Sequence, residues 1–369
     1  MKLYIKNPLS AWSATIILFF LMAFIFPKIF LKKELFFLII LILTIWLLYI
    51  FYVQNYKSFQ SRLIKKNQFV SIRIFLFTLI EYLHLKIFGH PMSQQMKNFL
   101  YNLSFSLIGG VISAIIIFII NIIAGRILGP TEYGRANYIQ ILAQIFYLPL
   151  VFGTDIAVAR ALSKEHDQTK QSQYIIHAFL IILGIFIFLG GIMFFSRDII
   201  AKMATTSSII IIIALIYGLF LGLKYIFDNV LKGLYLFKFQ AFAKIIESFL
   251  AILLFGLVFY LFRWTNYQLI ILPFFMGMVI FICISLIPIL RIVNKFTFDP
   301  SVIQKLISYG KIVFINSVIA IILIYGDRLI VNKYLGNYEL GLYAAYYISS
   351  ISIIIQIVGI TSNVLFPTI

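Results

Sequence analysis

Long apolar runs separated by short polar stretches recur along the whole chain. They fall at about 11–27, 35–53, 101–125, 137–157, 174–196, 207–227, 241–262, 268–290, 312–332 and 341–364. A helix crosses the hydrocarbon layer with about 20 apolar residues. Lipid offers no partner to an open sheet edge, so helices are the expected form of each run. The pattern predicts an all-α, polytopic membrane protein of about ten transmembrane helices. A further segment, 72–89, is apolar but carries Arg73, Glu81, His84 and Lys86. It reads either as a span or as an amphipathic helix lying in the interface.

The distribution of basic residues decides between these. With 72–89 on the surface and the N-terminus inside, 20 of the 30 Lys and Arg fall on the cytoplasmic side. If 72–89 spans, the later loops exchange sides and the division becomes 14 against 16 of those 30. Basic residues collect in cytoplasmic loops, so 72–89 is placed on the cytoplasmic surface. The resulting organisation is a transmembrane hairpin (1–53), a basic cytoplasmic linker (54–97), a first six-helix lobe (98–300) and the opening two helices of a second lobe (301–369).

Composition agrees with this picture. Hydrophobic residues make up 63%, charged residues 11%, and mean hydropathy is +1.05, where soluble domains carry about 25% charged residues. The net charge of +18 is read as loop basicity meeting anionic lipid, not as a nucleic-acid surface. The N-terminal run ends Phe26-Pro27-Lys28 without a small-residue cleavage site, so a retained helix is expected rather than a signal peptide. The single cysteine, Cys283, and four scattered histidines form no metal-ligand spacing, and no cofactor is expected.

Two loops resemble each other. Arg126-Ile127-Leu128-Gly129-Pro130-Thr131-Glu132-Tyr133-Gly134 and Lys333-Tyr334-Leu335-Gly336-Asn337-Tyr338-Glu339-Leu340-Gly341 align a base, Leu, Gly, Glu and Gly at one offset. Each joins two apolar runs on the extracytoplasmic side. Gly129 and Gly336 are expected to close helices in a left-handed cap. Glu132 and Glu339 are expected in the first turn of the next helix, where negative charge is favourable. An even number of spans lies between them, which predicts parallel repeats related by an axis along the membrane normal.

Phe105-Ser106-Leu107-Ile108-Gly109-Gly110, then Ala124-Gly125-Arg126 through Gly134, and Phe152-Gly153-Thr154-Asp155 with Arg160 resemble the first helices of the polysaccharide transporter family. These are the O-antigen-type flippases of the multidrug/oligosaccharidyl-lipid/polysaccharide exporter superfamily. Gly326-Asp327-Arg328-Leu329-Ile330, Leu335-Gly336 and Gly341-Leu342-Tyr343 are similar to its second lobe. The resemblance covers roughly 98–369. It implies two six-helix lobes, of which the second is short here, and alternating access between them. It also implies transfer of a polyprenyl-linked oligosaccharide across the cytoplasmic membrane. The missing part of the second lobe is expected from a second chain, unless the sequence is a fragment or a split gene product.

Ionisable groups within spans usually face a bundle interior or an aqueous cavity. Arg126 reads as a phosphate-binding cation or as a snorkelling anchor. Asp155 and Arg160 read as a head-group or gating pair, or as a local structural pair or solvated helix end. Asp327 and Arg328 are neighbours, so one is expected to meet another helix while the other faces water. Asn121 and Asn316 read as cavity amides or interhelical glue. Glu247, three residues after Lys244, reads as a coupling acid or a local ion pair.

Four functions follow from these residues. The first is a flippase whose cationic cavity holds phosphate and sugars while the lipid tail stays in the bilayer. A cation-coupled multidrug exporter is disfavoured because the first core helix, 101–125, holds no acid. An enzyme is disfavoured because the outer loops are short and no loop carries Asp-x-Asp. A non-transporting partner subunit is the fourth.

Overall fold

The computed structural model describes residues 93–293 and 298–350. The expected spans 11–27 and 35–53, the interfacial segment 72–89 and the end of the run 341–364 lie outside these residues. Among the described residues every regular element is helical. They are α1 (Gln94–Val151), α2 (Thr154–Lys164), α3 (Gln168–Ile185, continued by a π turn at Phe186–Gly190), α4 (Gly191–Phe195), α5 (Arg197–Met203), α6 (Ser208–Gly233), α7 (Phe237–Phe262), α8 (Gln268–Ile292), α9 (Pro300–Leu335) and α10 (Asn337–Ser350). Among the described residues, six helices are long and apolar enough to cross a membrane. The chain is a multi-pass, all-α membrane protein.

The first of those helices contains the run 101–125 and the first part of 137–157, to Val151. It is divided at Gly129, whose φ of 68° and ψ of 172° are non-helical. The Tyr133 hydroxyl donates to Asn121 Oδ1 at 3.0 Å. Twelve residues of straight helix would separate these positions by about 18 Å, so the chain folds back at Gly129. Gly336, its repeat mate, has φ 89° and ψ −175° between α9 and α10. The expected left-handed cap is therefore replaced at both places. Positive φ with extended ψ is a region essentially confined to glycine, a stricter requirement than the cap.

Glu132 sits in the first turn after the reversal, as expected. Its Oε1 pairs with Arg135 at 2.7 Å, and its Oε2 accepts the Tyr267 backbone N–H at 2.9 Å, which ties the loop before α8 to α1. The buried core gathers Ile120, Ala124, Ile139, Ala214, Leu269 and Phe255 from α1, α6, α7 and α8, and Leu340 and Ala344 of α10 join it. Helices α6 and α8 are the most buried of the spans, and α9 is the least.

Helix α9 is fastened at its start. Asp299 caps α9 by accepting the Ser301 N–H at 2.9 Å, with Pro300 in the first turn. Its own backbone N–H donates to His177 Nε2 at 3.0 Å, while His177 Nδ1 faces the Gln173 carbonyl at 2.7 Å. His177 is fully buried in α3. It thus spans from its own helix turn to the first residue of the α9 cap. The Ser301 hydroxyl and N–H hold the Asp299 carboxyl below its ordinary value. A depressed carboxyl stabilises the fold above its unfolded value of about 4 and loses that contribution as pH falls through the folded value. Asp299→Asn is accordingly expected to flatten the acid limb of a thermal-unfolding profile while leaving the neutral limb parallel to wild type.

Candidate functional site

The second arm of α1, together with α2, faces α9 and α10 along one seam. At one end of it the two repeat loops meet. A methyl group on Gly134 would lie 1.8 Å from the Asn337 carbonyl oxygen, and one on Gly341 would lie 2.0 Å from that of Pro130. Pro130 and Asn337 are repeat mates, as are Gly134 and Gly341. The contact is therefore reciprocal, each copy presenting the same patch, which is the property of a two-fold interface.

At the opposite end α1 gives way to α2 through two successive residues of positive φ, Phe152 (52°) and Gly153 (70°). A methyl on Gly153 would lie 2.5 Å from the Gly310 carbonyl oxygen, and one on Gly310 would lie 2.8 Å from that of Phe152. The Phe152 ring stacks on Phe314 with centroids 4.9 Å apart. Arg160 lies 4.3 Å from the Tyr309 ring centroid. Glycines at both ends thus bring backbones of the two lobes into direct contact.

Between these closures the seam is polar and aromatic. The Arg328 guanidinium lies 3.7 Å from the Tyr347 ring centroid and 5.1 Å from that of Tyr325. The Tyr225 ring meets that of Tyr147 at 5.1 Å. The Tyr138 hydroxyl of α1 donates to the Ala204 carbonyl at 2.8 Å, and Asn332 of α9 is buried. Among the described residues, Arg328 Nε and Nη2, Arg135 Nε and Asn337 Oδ1 are buried without a hydrogen-bond partner.

Behind the seam, within the first lobe, lies a buried charge network. Asp228 takes Lys232 at 2.8 Å, Lys244 at 3.2 Å and the Gln240 amide at 2.7 Å. Lys232 also donates to Asn229 Oδ1 at 3.1 Å, and Asn229 Nδ2 donates to Asp155 at 3.0 Å. Lys224 pairs with Glu247. Three acids and three lysines balance, which is what a low-dielectric interior demands.

The sequence candidates separate on this geometry. Asp155 is buried and joins α2 to α6. Arg160 does not pair with it but stacks across to Tyr309 of α9. Glu247 pairs with Lys224 of α6, because Lys244 is taken by Asp228. Asn121 is held by its own helix (Ile117 carbonyl, 2.8 Å) and by Tyr133, an amide used as glue. With the exposed Arg126 it lines a crevice of about 280 Å³ between α1 and α10, otherwise mostly apolar. Asn316 is exposed on α9. Asp327 accepts the Tyr343 hydroxyl and Arg328 covers Tyr347, so both neighbours meet α10 and only Asp327 is also exposed. The residues not anticipated are Asp228, Asn229, Lys232 and Gln240. Asp228 and Lys232 stand four apart at the end of an apolar run, and that spacing is the signal that marks them.

Comparison with known proteins follows this geometry. A family profile described as "Polysaccharide biosynthesis protein" matches residues 99–369. Two solved structures share the fold. One, a chain described as protein A, is 14% identical with a TM-score of 0.54 and covers 73% of this chain and 64% of its own length. The other is the MATE multidrug transporter DinF-BH. It is 14% identical with a TM-score of 0.51, over 74% of this chain and 66% of its own. The chain thus spans just under two thirds of the length of either structure. No curated protein sequence matches it. The family match covers most of the chain, which belongs to the polysaccharide biosynthesis protein family.

Proposed function

We propose that this chain moves a polyprenyl-linked oligosaccharide from the cytoplasmic to the outer leaflet of the cell membrane. Its lobes would rock about the seam, with the N-terminus on the cytoplasmic side. The observation that carries the reading is the reciprocal Gly134–Asn337 and Gly341–Pro130 contact. It is a closure made by equivalent parts of two lobes, with an arginine and a row of tyrosines held between them. Backbone contact through glycine has no long side chains to unthread, so such a closure separates as a unit. The tyrosine rings suit sugar stacking, and the cation suits a phosphate.

The superfamily also exports cationic drugs, which call for an acid free to meet the ligand. The interior acids of the first lobe are committed: Asp228 to two lysines, Glu247 to Lys224 and Asp155 to Asn229. This favours an anionic substrate. The test is leaflet accessibility of a lipid-linked oligosaccharide in proteoliposomes with and without the protein. Protein-dependent translocation supports the reading. Translocation of a fluorescent organic cation instead, or of neither from folded protein, overturns it.

A further inference from the structure

We propose that His177 is a proton-operated latch on the start of α9: the neutral ring holds α9 against α3, and a second proton on the ring releases it. The inference goes beyond the transport reading and does not depend on what the seam carries.

The neighbours of the ring dictate which nitrogen holds the hydrogen. The Asp299 backbone N–H can only donate, and it meets Nε2 at 3.0 Å. Nε2 is therefore the bare, accepting nitrogen. The Gln173 carbonyl can only accept, and it lies 2.7 Å from Nδ1, so Nδ1 carries the hydrogen. The neutral Nδ1–H tautomer is the one form of the ring that satisfies both partners. The ring is fully buried, and Phe298 packs beside it with centroids 5.5 Å apart. Bulk water is therefore not at hand to replace either bond.

A second proton turns Nε2 into a donor. It then faces the Asp299 N–H, donor against donor. On α9 the group that could answer it is the Asp299 carboxylate, which is occupied in capping the helix through the Ser301 N–H at 2.9 Å. Either the bond to Asp299 is lost outright, or the carboxylate leaves the cap to meet the imidazolium. Both outcomes detach the first turn of α9 from α3. Histidine ordinarily changes charge between about pH 5 and 8. The latched state excludes the second proton, so by linkage acid favours release and higher pH favours the latch.

Charges on the surrounding elements are engaged elsewhere. Before α3, Glu165 accepts the backbone N–H groups of His166 and Asp167 and lies 3.8 Å from Lys170. On α2, Arg160 covers Tyr309. On α6, where Phe227 packs on Phe179 of α3, Asp228 is held by Lys232 and Lys244. On α1, Glu132 and Arg135 hold each other. Arg291 ends α8, its carbonyl accepting from Gln168, and the first charge within α9 is Lys305. The latch matters because α9 is the least buried of the spans. Gly310, whose backbone presses on Gly153, stands about 16 Å along α9 from Asp299. Freeing the first turn lets that contact part.

The test is histidine-selective nitrogen NMR of the full chain in lipid nanodiscs from about pH 8 to about pH 5, with amide hydrogen exchange on the same samples. The signal that disappears in His177→Gln is expected to be the Nδ1–H tautomer at the upper pH and doubly protonated at the lower. Exchange at Asp299 and Ser301, read against α6 amides to cancel its intrinsic pH dependence, should rise about tenfold over the same interval. His177→Gln offers an uncharged acceptor at every pH and should abolish that rise. His177→Arg, charged throughout, should exchange fast already at the upper pH. His166→Gln in the exposed loop should behave as wild type. An Nε2–H signal, a ring that stays neutral to the lower pH, or a rise that persists in His177→Gln overturns the latch. The tautomer and His177→Gln decide the matter even where His177→Arg does not fold.

Discussion

Gly134→Ala and Gly341→Ala are each expected to break the closure between the two repeat loops, lowering stability by about 3 kcal/mol, the upper end of overpacking penalties. The new methyl would sit 1.8 or 2.0 Å from a carbonyl oxygen of the other lobe, and backbone cannot rotate away as a side chain can. The lobes must move apart at this end or the α10 helix must shift. Gly125→Ala is the control. Nothing lies within 4 Å of its added methyl, and alanine favours helix over glycine by roughly 1 kcal/mol, so it should be neutral or stabilising. Gly129→Ala separates space from conformation. It too has open surroundings, but its φ of 68° strains any side chain by about 1–3 kcal/mol. Thermal unfolding in detergent ranks the four. Reciprocity adds a sharper test: once one methyl has wedged the closure, the second meets less resistance. The Gly134→Ala/Gly341→Ala double variant should therefore cost clearly less than the sum of the singles. Additive effects would mean that the two contacts are independent and that no shared closure exists.

The helical layout was legible because bilayer thickness imposes run lengths that any apolar pattern must respect. The repeat was legible for a related reason. Reversing the chain at Gly129 and Gly336 needs a backbone state that glycine supplies, and a neighbouring glycine must admit the opposite lobe. That chemistry leaves Leu-Gly, Glu and Gly in both loops. What periodicity does not reveal is which polar groups find one another. Glu247 is three residues from Lys244, yet its ion pair crosses to Lys224 on another helix, and Lys244 crosses to Asp228. Asp155 and Arg160 look like a local pair, but the break at Phe152–Gly153 lets α2 offer one to α6 and the other to α9. Asn121 was legible as either glue or cavity lining, and only the fold-back that delivers Tyr133 decides for glue. Arg328 was singled out for its place in an apolar run. Its particular standing comes from two rings on helices brought together by Gly336, a relation no linear spacing encodes.

Asp228→Asn is expected to produce the other large effect, a loss of about 3–5 kcal/mol, the range for removing one partner of a buried ion pair. Asp228 and Lys232 are only 6% and 9% exposed. The amide would keep the shape but leave Lys232 and Lys244 facing one another without their shared anion. An exposed pair gives the comparison: Lys170, 61% exposed and 3.8 Å from Glu165, should change stability by less than about 1 kcal/mol when replaced by Gln. The cost at Asp228 comes from stranded positive charge rather than from loss of attraction, so removing a stranded lysine should restore part of it. Asp228→Asn/Lys232→Met is therefore expected to be more stable than Asp228→Asn alone, with a coupling that a double-mutant cycle reads directly. If the double variant is no better than the single, Asp228 acts through its Gln240 bond and not through charge. The outcome reaches the seam as well. Lys232 steadies Asn229, Asn229 holds Asp155, and Asp155 fixes the first turn of α2, the helix that carries Gly153 and Arg160 against α9. A first lobe that keeps this chain intact moves α2 as part of itself. On the proposed transport reading, loosening Asp228 should then impair transport beyond what the fall in folded protein explains, because the Gly153–Gly310 contact would no longer move with α6.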